Sequence, residues 1–136
     1  NVDLLVNKIK DILPEGPQYY PEDQLTDRSE RFVVNEVIRE KILLNYTKEI
    51  PYSVEVVTER FKEEINLISI EADIYVERDS QKGIIIGHKG ESLSKVGKEA
   101  REELEKFFDT KVFLKLYVKV RKDWRKKEND LRRFGY

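Results

Sequence analysis

From Ile68 to Val76 every second residue is apolar: Ile68, Ile70, Ala72, Ile74 and Val76 alternate with Ser69, Glu71, Asp73 and Tyr75. A period of two is the mark of a β-strand with one face on a core and the other toward water. Such a face cannot be buried by one strand alone, so the remaining chain must supply partner strands and a covering layer. Two weaker alternations answer that need. Val54, Val56 and Thr58 alternate with Glu55, Val57 and Glu59 in a strand that ends near Phe61, and Val112, Leu114, Leu116, Val118 and Val120 alternate with Phe113, Lys115, Tyr117 and Lys119.

The intervening stretches carry helical spacing. Asp27 with Glu30 three residues on predicts a helix start, and Phe32, Val33, Val37, Ile38, Ile42 and Leu44 continue it over about 28–46. Asp79 is placed to cap a short helix, Ser80 to Ile86, and a longer helix opens near Glu91 with Leu93, Val96, Ala100, Leu104 and Phe107 as its inward stripe. Residues from Asp123 to Tyr136 read as a basic terminal helix. At the other end, Val2, Leu5, Val6, Ile9, Ile12 and Leu13 form an amphipathic stripe that must bury against something. Pro14, Gly16, Pro17 and Pro21 then make a stiff connector. The expected division is 1–21 as a helix with its linker and 22–136 as one domain of helix, strand, strand, short helix, helix, strand and extra helix. That order implies an α+β sandwich of one sheet and one helical layer.

Charge narrows the function. The net charge is -1, yet residues 111–136 hold ten basic and three acidic side chains, so the surplus of +7 sits at this end. The chain has no Cys and a single His, which excludes a disulfide framework, a thiolate zinc site and an imidazole metal cluster. No apolar run approaches the roughly 20 residues of a membrane span, so a cytoplasmic location is expected. Nor does any nucleophile stand with a plausible base.

Between the short helix and the long one lies Gly87-His88-Lys89-Gly90. Alone, this pattern favours a plain helix-turn-helix corner over a binding loop. Its frame favours binding, because two residues without Cβ let a sugar-phosphate backbone approach while the free amides of the next helix attract phosphate. Lys89 would add charge, and His88 a donor or a flat face. An apolar groove of Ile84, Ile85, Ile74 and the first turns of the following helix, with Ser92 and Lys95, is expected beneath the bases. Trp124 and Leu131 read as core, whereas Arg125, Lys126 and Phe134 are candidate contacts in the tail.

These residues resemble those of the type II KH domain, with its α-β-β-α-α-β order and three-stranded sheet packed on helices. Over nearly the whole chain they resemble the Era family of GTPases. The likeness rests on Leu13-Pro14-Glu15-Gly16-Pro17, on Thr26-Asp27-Arg28-Ser29-Glu30-Arg31-Phe32, on Pro51-Tyr52-Ser53, and above all on Ile74 to Gly90. Lys122-Asp123-Trp124-Arg125 and Leu131-Arg132-Arg133-Phe134 close it. It implies single-stranded RNA as ligand, namely the 3′ end of 16S ribosomal RNA, and a part in maturing the 30S subunit. It also implies a partner GTPase domain that holds GTP and Mg, and possible peripheral contact with the membrane's inner face. No Gly-x-x-x-x-Gly-Lys-Ser/Thr loop or Asn-Lys-x-Asp motif occurs in these residues, so no catalysis and no cofactor are expected of them. Residues 1–13 then resemble the last helix of the GTPase domain. A protein-docking scaffold is the competing expectation, motivated by the unburied stripe of Val2, Leu5, Ile9 and Leu13.

Overall fold

Two ten-residue strands, β1 (Glu55–Glu64) and β2 (Leu67–Val76), form an antiparallel hairpin in a computed structural model that describes residues 1–17, 19 and 28–135. A third, β3 (Lys111–Val120), lies parallel to β2, giving the sheet order β1-β2-β3. Parallel neighbours need a long crossover. Here α3 (Asp79–Ile86) and α4 (Glu91–Phe108) supply it, while α2 (Glu30–Asn45) precedes the sheet. The result is an α+β fold with helices on one face. The alternation in β2 sets which face: Ile68, Ile70, Ala72, Ile74 and Val76 are all buried, against Val34, Ile38 and Ile42 of α2 and Val96, Ala100 and Leu104 of α4. Each fully buried Ile or Val contributes roughly 1.5–3 kcal/mol. This one cluster therefore holds the fold.

Polar side chains fix the joints. Ser29 rather than Asp27 starts α2, its hydroxyl accepting from Phe32 N at 3.3 Å; Asp27 and the expected boundary at 21/22 lie outside the described residues. Asn35 Oδ1 accepts from both the amide and the hydroxyl of Thr58, at 2.8 and 2.7 Å, where β1 shifts register between Thr58 and Arg60. Gln81, not Asp79, organises the start of α3: its carbonyl accepts from the amides of Glu77 and Arg78, and its amide donates to Ser53 Oγ at 3.2 Å. A buried amide that reaches both neighbours outcompetes an exposed carboxylate at the first helical position.

Three further expectations change. Phe107 is exposed, and its neighbour Phe108 turns inward to meet Phe61 edge-on at 5.7 Å. The outer face of the sheet is not wet throughout, since Asp73 and Tyr75 are buried beneath Lys119 and the C-terminal segment. That segment is a 3-10 turn, Trp124–Lys126, followed by the six-residue α5 (Glu128–Arg133). Left-handed Asp123 and extended Lys127 keep it from being one helix. As expected, α1 (Val2–Ile12) is helical, but each of its residues is exposed, so its stripe is not buried within this chain.

Candidate nucleic-acid interface

The loop closing α3 is built for a glycine at one end. Gly87 has φ 72° and ψ -175°, a region that side chains hardly enter. A Cβ there would stand 2.1 Å from Ser92 Oγ and 2.7 Å from Ser92 Cβ. Ser92 thus packs its side chain against the bare Cα of Gly87 and locks the loop onto α4. Lys89 is left-handed at φ 49° and Gly90 at φ 82°, so the chain reverses within four residues and hands over to α4. His88 and Lys89 project into solvent at this reversal. The Gly90 amide donates to the Gly87 carbonyl and the Glu91 amide to that of His88, while the next amides of α4 lack intrahelical acceptors.

Behind the loop, Tyr46 at the end of α2 donates its hydroxyl proton to the Ile85 carbonyl at 2.7 Å. Burial pushes this phenol up to about 12. The bond ties the last turn of α3 to α2 and holds the loop's entry in place.

A groove of about 460 Å³ runs from Gly90 between α4 and the edge strand β3, lined by Leu93, Gly97, Lys98, Arg101, Leu114 and Leu116 among others. A Cβ at Gly97 would meet Leu116 Cδ1 at 3.6 Å, an ordinary contact, so a small residue fits here and only a bulky one would fill the groove. Among the described residues β3 pairs with β2 alone; apart from the Val112 amide, which donates to Glu105, its other edge leaves backbone donors and acceptors along the groove. The rim is cationic, with Lys98 and Lys115 exposed and Arg101 half-buried.

This places the expected residues as follows. Gly87, His88, Lys89 and Gly90 come together at the mouth, with Ser92 as their brace and Lys95 exposed on α4, 3.9 Å from Glu99. Ile74 and Ile85 have no exposed surface; they are core beneath the site and cannot touch a base. The alternation that puts Ile74 toward the helices is the reason. Ile84 is 52% exposed but does not line the groove. In the tail, Arg125 pairs with Glu77 at 2.6 Å, and Phe134 lies edge-on to Trp124 at 5.1 Å and tilted against Tyr75 at 5.2 Å. Both are engaged in holding the segment down. Lys126 remains exposed, apart from the groove.

Sequence reasoning placed the first turns of α4 in the groove, missed Lys98, Arg101 and Lys115, did not single out Gly97, and took Leu114 and Leu116 for ordinary core. One signal was available. A glycine inside an otherwise strong helix costs about 1 kcal/mol relative to alanine, which marks Gly97 as a place where something must come close.

Comparison with known proteins agrees with this geometry. The sequence model described as KH domain matches residues 49–125, from just before β1 to the turn after β3. Proteins named GTPase Era are 57% identical in Syntrophus aciditrophicus, over 99% of this chain and 45% of that protein, and 54% identical in Halothermothrix orenii, over 100% and 47%. The chain therefore spans less than half the length of these curated relatives. The solved structure of Aquifex aeolicus Era with GDP and aluminium tetrafluoride superposes with a TM-score of 0.91 at 41% identity, over 100% of this chain and 46% of that one. The same values hold for Era in complex with MgGDPNP and nucleotides 1506–1542 of 16S ribosomal RNA. With the family match running through both halves of the groove, the chain belongs to the KH domain family and corresponds to the KH-domain region of Era-type GTPases.

Proposed function

We propose that this chain is the single-stranded RNA-binding module of an Era-type GTPase, with the α-β-β-α-α-β order of a type II KH domain from α2 to β3 and α5 appended. Its ligand is the 3′ end of 16S ribosomal RNA during maturation of the 30S subunit. One observation carries this reading: a reversed loop with two exposed basic or polar side chains opens into an apolar, cation-rimmed groove beside a bare strand edge. Phosphates meet Lys89, His88 and the α4 amides, while bases lie along Leu93, Gly97 and Leu116 and meet the main chain of β3. The recorded complex of an Era protein with 16S nucleotides supports the choice of RNA. Residues 1–21 are read as the end of a GTPase domain and its linker, and 22–136 as the RNA-binding unit. GTP hydrolysis belongs to the partner domain. Cytoplasmic location, with peripheral contact at the membrane's inner face, goes with the same reading.

The double variant His88→Asp/Lys89→Asp tests it by setting two carboxylates against the phosphates. Affinity for a fluorescent RNA from the 16S 3′ end should fall by at least about tenfold, with the fold intact. Unchanged affinity would overturn the assignment.

A second reading rests on another hollow, about 710 Å³, between α2 and the C-terminal segment, lined by Leu43, Tyr52, Val54, Trp124 and Leu131 with Arg39 and Glu40 at its rim. It would suit a protein partner. Salt separates the two, because RNA binding weakens steeply with ionic strength and apolar docking does not.

A further inference from the structure

The side of the sheet away from the helices carries a second set of features that the groove does not use. Along β3 the outward residues are Lys111, Phe113, Lys115, Tyr117 and Lys119, and β3 contains no carboxylate at all. Phe113 is 55% exposed and Tyr117 38%. Large aromatic rings on a soluble sheet face are costly to leave in water, and here they alternate with cations. Lys115 lies 5.0 Å from the centre of the Tyr117 ring. Among the described residues neither Lys111 nor Lys115 forms a salt bridge. The nearest outward acid on β2, Glu71, stands 3.9 Å from Arg60 of β1, and Asp73 is buried under Lys119. The face is thus an aromatic platform with a surplus of positive charge along β3, only partly offset by Glu71 across from Lys115 and by Asp73 under Lys119. Its chemistry fits unstacked bases joined by phosphates, since every base has a face to stack and every linkage an anion to neutralise. An anionic, ring-bearing polymer complements it, whereas an apolar protein surface would leave Lys111 and Lys115 buried without a partner.

We infer that the outer face of β3 is a second single-stranded RNA surface, continuous with the groove around the strand's bare edge. Bases beyond the groove stack on Phe113 and Tyr117, which lie about 13 Å apart along the strand. Lys111 and Lys115 meet the phosphates between them, while Lys119 stays paired with buried Asp73. Lys115 also lines the groove, which makes it the point where the two surfaces join. The inference rests on the RNA-binding reading above and extends it from about four nucleotides to a longer segment.

Two RNAs from the 16S 3′ end, one of five and one of ten nucleotides, test it against the full 136-residue chain by fluorescence anisotropy. The unmodified protein should hold the ten-nucleotide RNA more tightly. Phe113→Thr/Tyr117→Thr, two changes at exposed positions to a residue that strands accept, should leave the five-nucleotide affinity unchanged. The same variant should lose about tenfold for each unstacked base with the longer RNA. Lys111→Gln, at an exposed position that forms no salt bridge among the described residues, should flatten the salt dependence of the longer RNA only. Equal affinity for both lengths, or a longer-RNA affinity indifferent to Phe113 and Tyr117, overturns the inference. Loss caused by the aromatic variant but insensitive to salt also overturns it, and points to apolar docking. Failure of the groove reading looks different: the five-nucleotide RNA would not bind the unmodified protein at all.

Discussion

Gly87 and Gly97 lack side chains for different reasons, and substitution separates them. At Gly87 both the backbone and Ser92 exclude a Cβ, so Gly87→Ala should destabilise by about 1–3 kcal/mol in urea unfolding. Adding Ser92→Gly should recover the steric part of the loss and not the backbone part. At Gly97 the backbone is helical and the nearest atom stands at ordinary contact distance, so Gly97→Ala should stabilise by up to about 1 kcal/mol. A bulky residue there would fill the groove, and Gly97→Leu should weaken RNA binding while the fold survives. Tyr46 supplies the third case. Its hydrogen bond to the Ile85 carbonyl is worth about 1 kcal/mol, the expected cost of Tyr46→Phe. Because burial raises the phenol from its ordinary 10.0 to about 12, its contribution is complete below pH 10 and disappears as pH climbs from 10 to 12. Tyr46→Phe should flatten the stability profile in that window alone; an unaltered profile would show that the phenol is not responsible. None of these contacts is local in sequence. The glycines were legible as glycines, but Ser92 against Gly87 and Leu116 against Gly97 follow from how the elements meet.

The strands and the two crossover helices were legible because each carries its own periodicity, and β2 most of all, where all five alternate apolar residues are buried. The C-terminal segment was not. Its basic residues read as an electrostatic footprint, yet Lys119 pairs with buried Asp73, Arg125 with Glu77 and Arg133 with Glu59, so part of the +7 is offset by carboxylates on or beside the first two strands. A charge count cannot distinguish a side chain that faces solvent from one that meets a carboxylate 48 residues earlier. This latch should respond to acid. The hydrogen bond from the Arg125 guanidinium, opposed by desolvation, holds the Glu77 carboxyl below its ordinary 4.5. A carboxyl lowered on folding stabilises above its unfolded value, and that contribution is lost as pH falls through the folded value. Trp124 is the single tryptophan and is buried under Phe134, so its emission reports release. The emission should shift to the red as pH drops below about 4.5, and Glu77→Gln should show part of that shift already at neutral pH. A Glu77→Gln spectrum identical to that of the unmodified protein at neutral pH would exclude the latch.

Across the whole molecule, the helical layer and the sheet are joined by one core, and α1 stands apart from it. Its apolar stripe declares a need for burial without naming the surface that meets it, which is why the helix was legible and its docking was not. The consequence is thermodynamic independence. Since every residue from Val2 to Ile12 is exposed and none belongs to the core cluster, removing residues 1–17 takes no core residue away. Unfolding of the truncated chain should match that of the intact chain within about 0.5 kcal/mol. The helix itself is 11 residues long, and an isolated helix of this length is marginal in water, so its amides should exchange with deuterium far faster than those of α2 and α4. Strong protection of α1 in a chain verified to be monomeric would mean that the stripe has found a surface on its own domain. The hollow between α2 and the C-terminal segment is the first place to look, because Leu43 and Tyr52 are exposed there and Trp124 lines it. Protection that appears only as concentration rises would mean instead that two copies cover each other's stripes, since burial of the same apolar area between chains depends on mass action and burial within one chain does not.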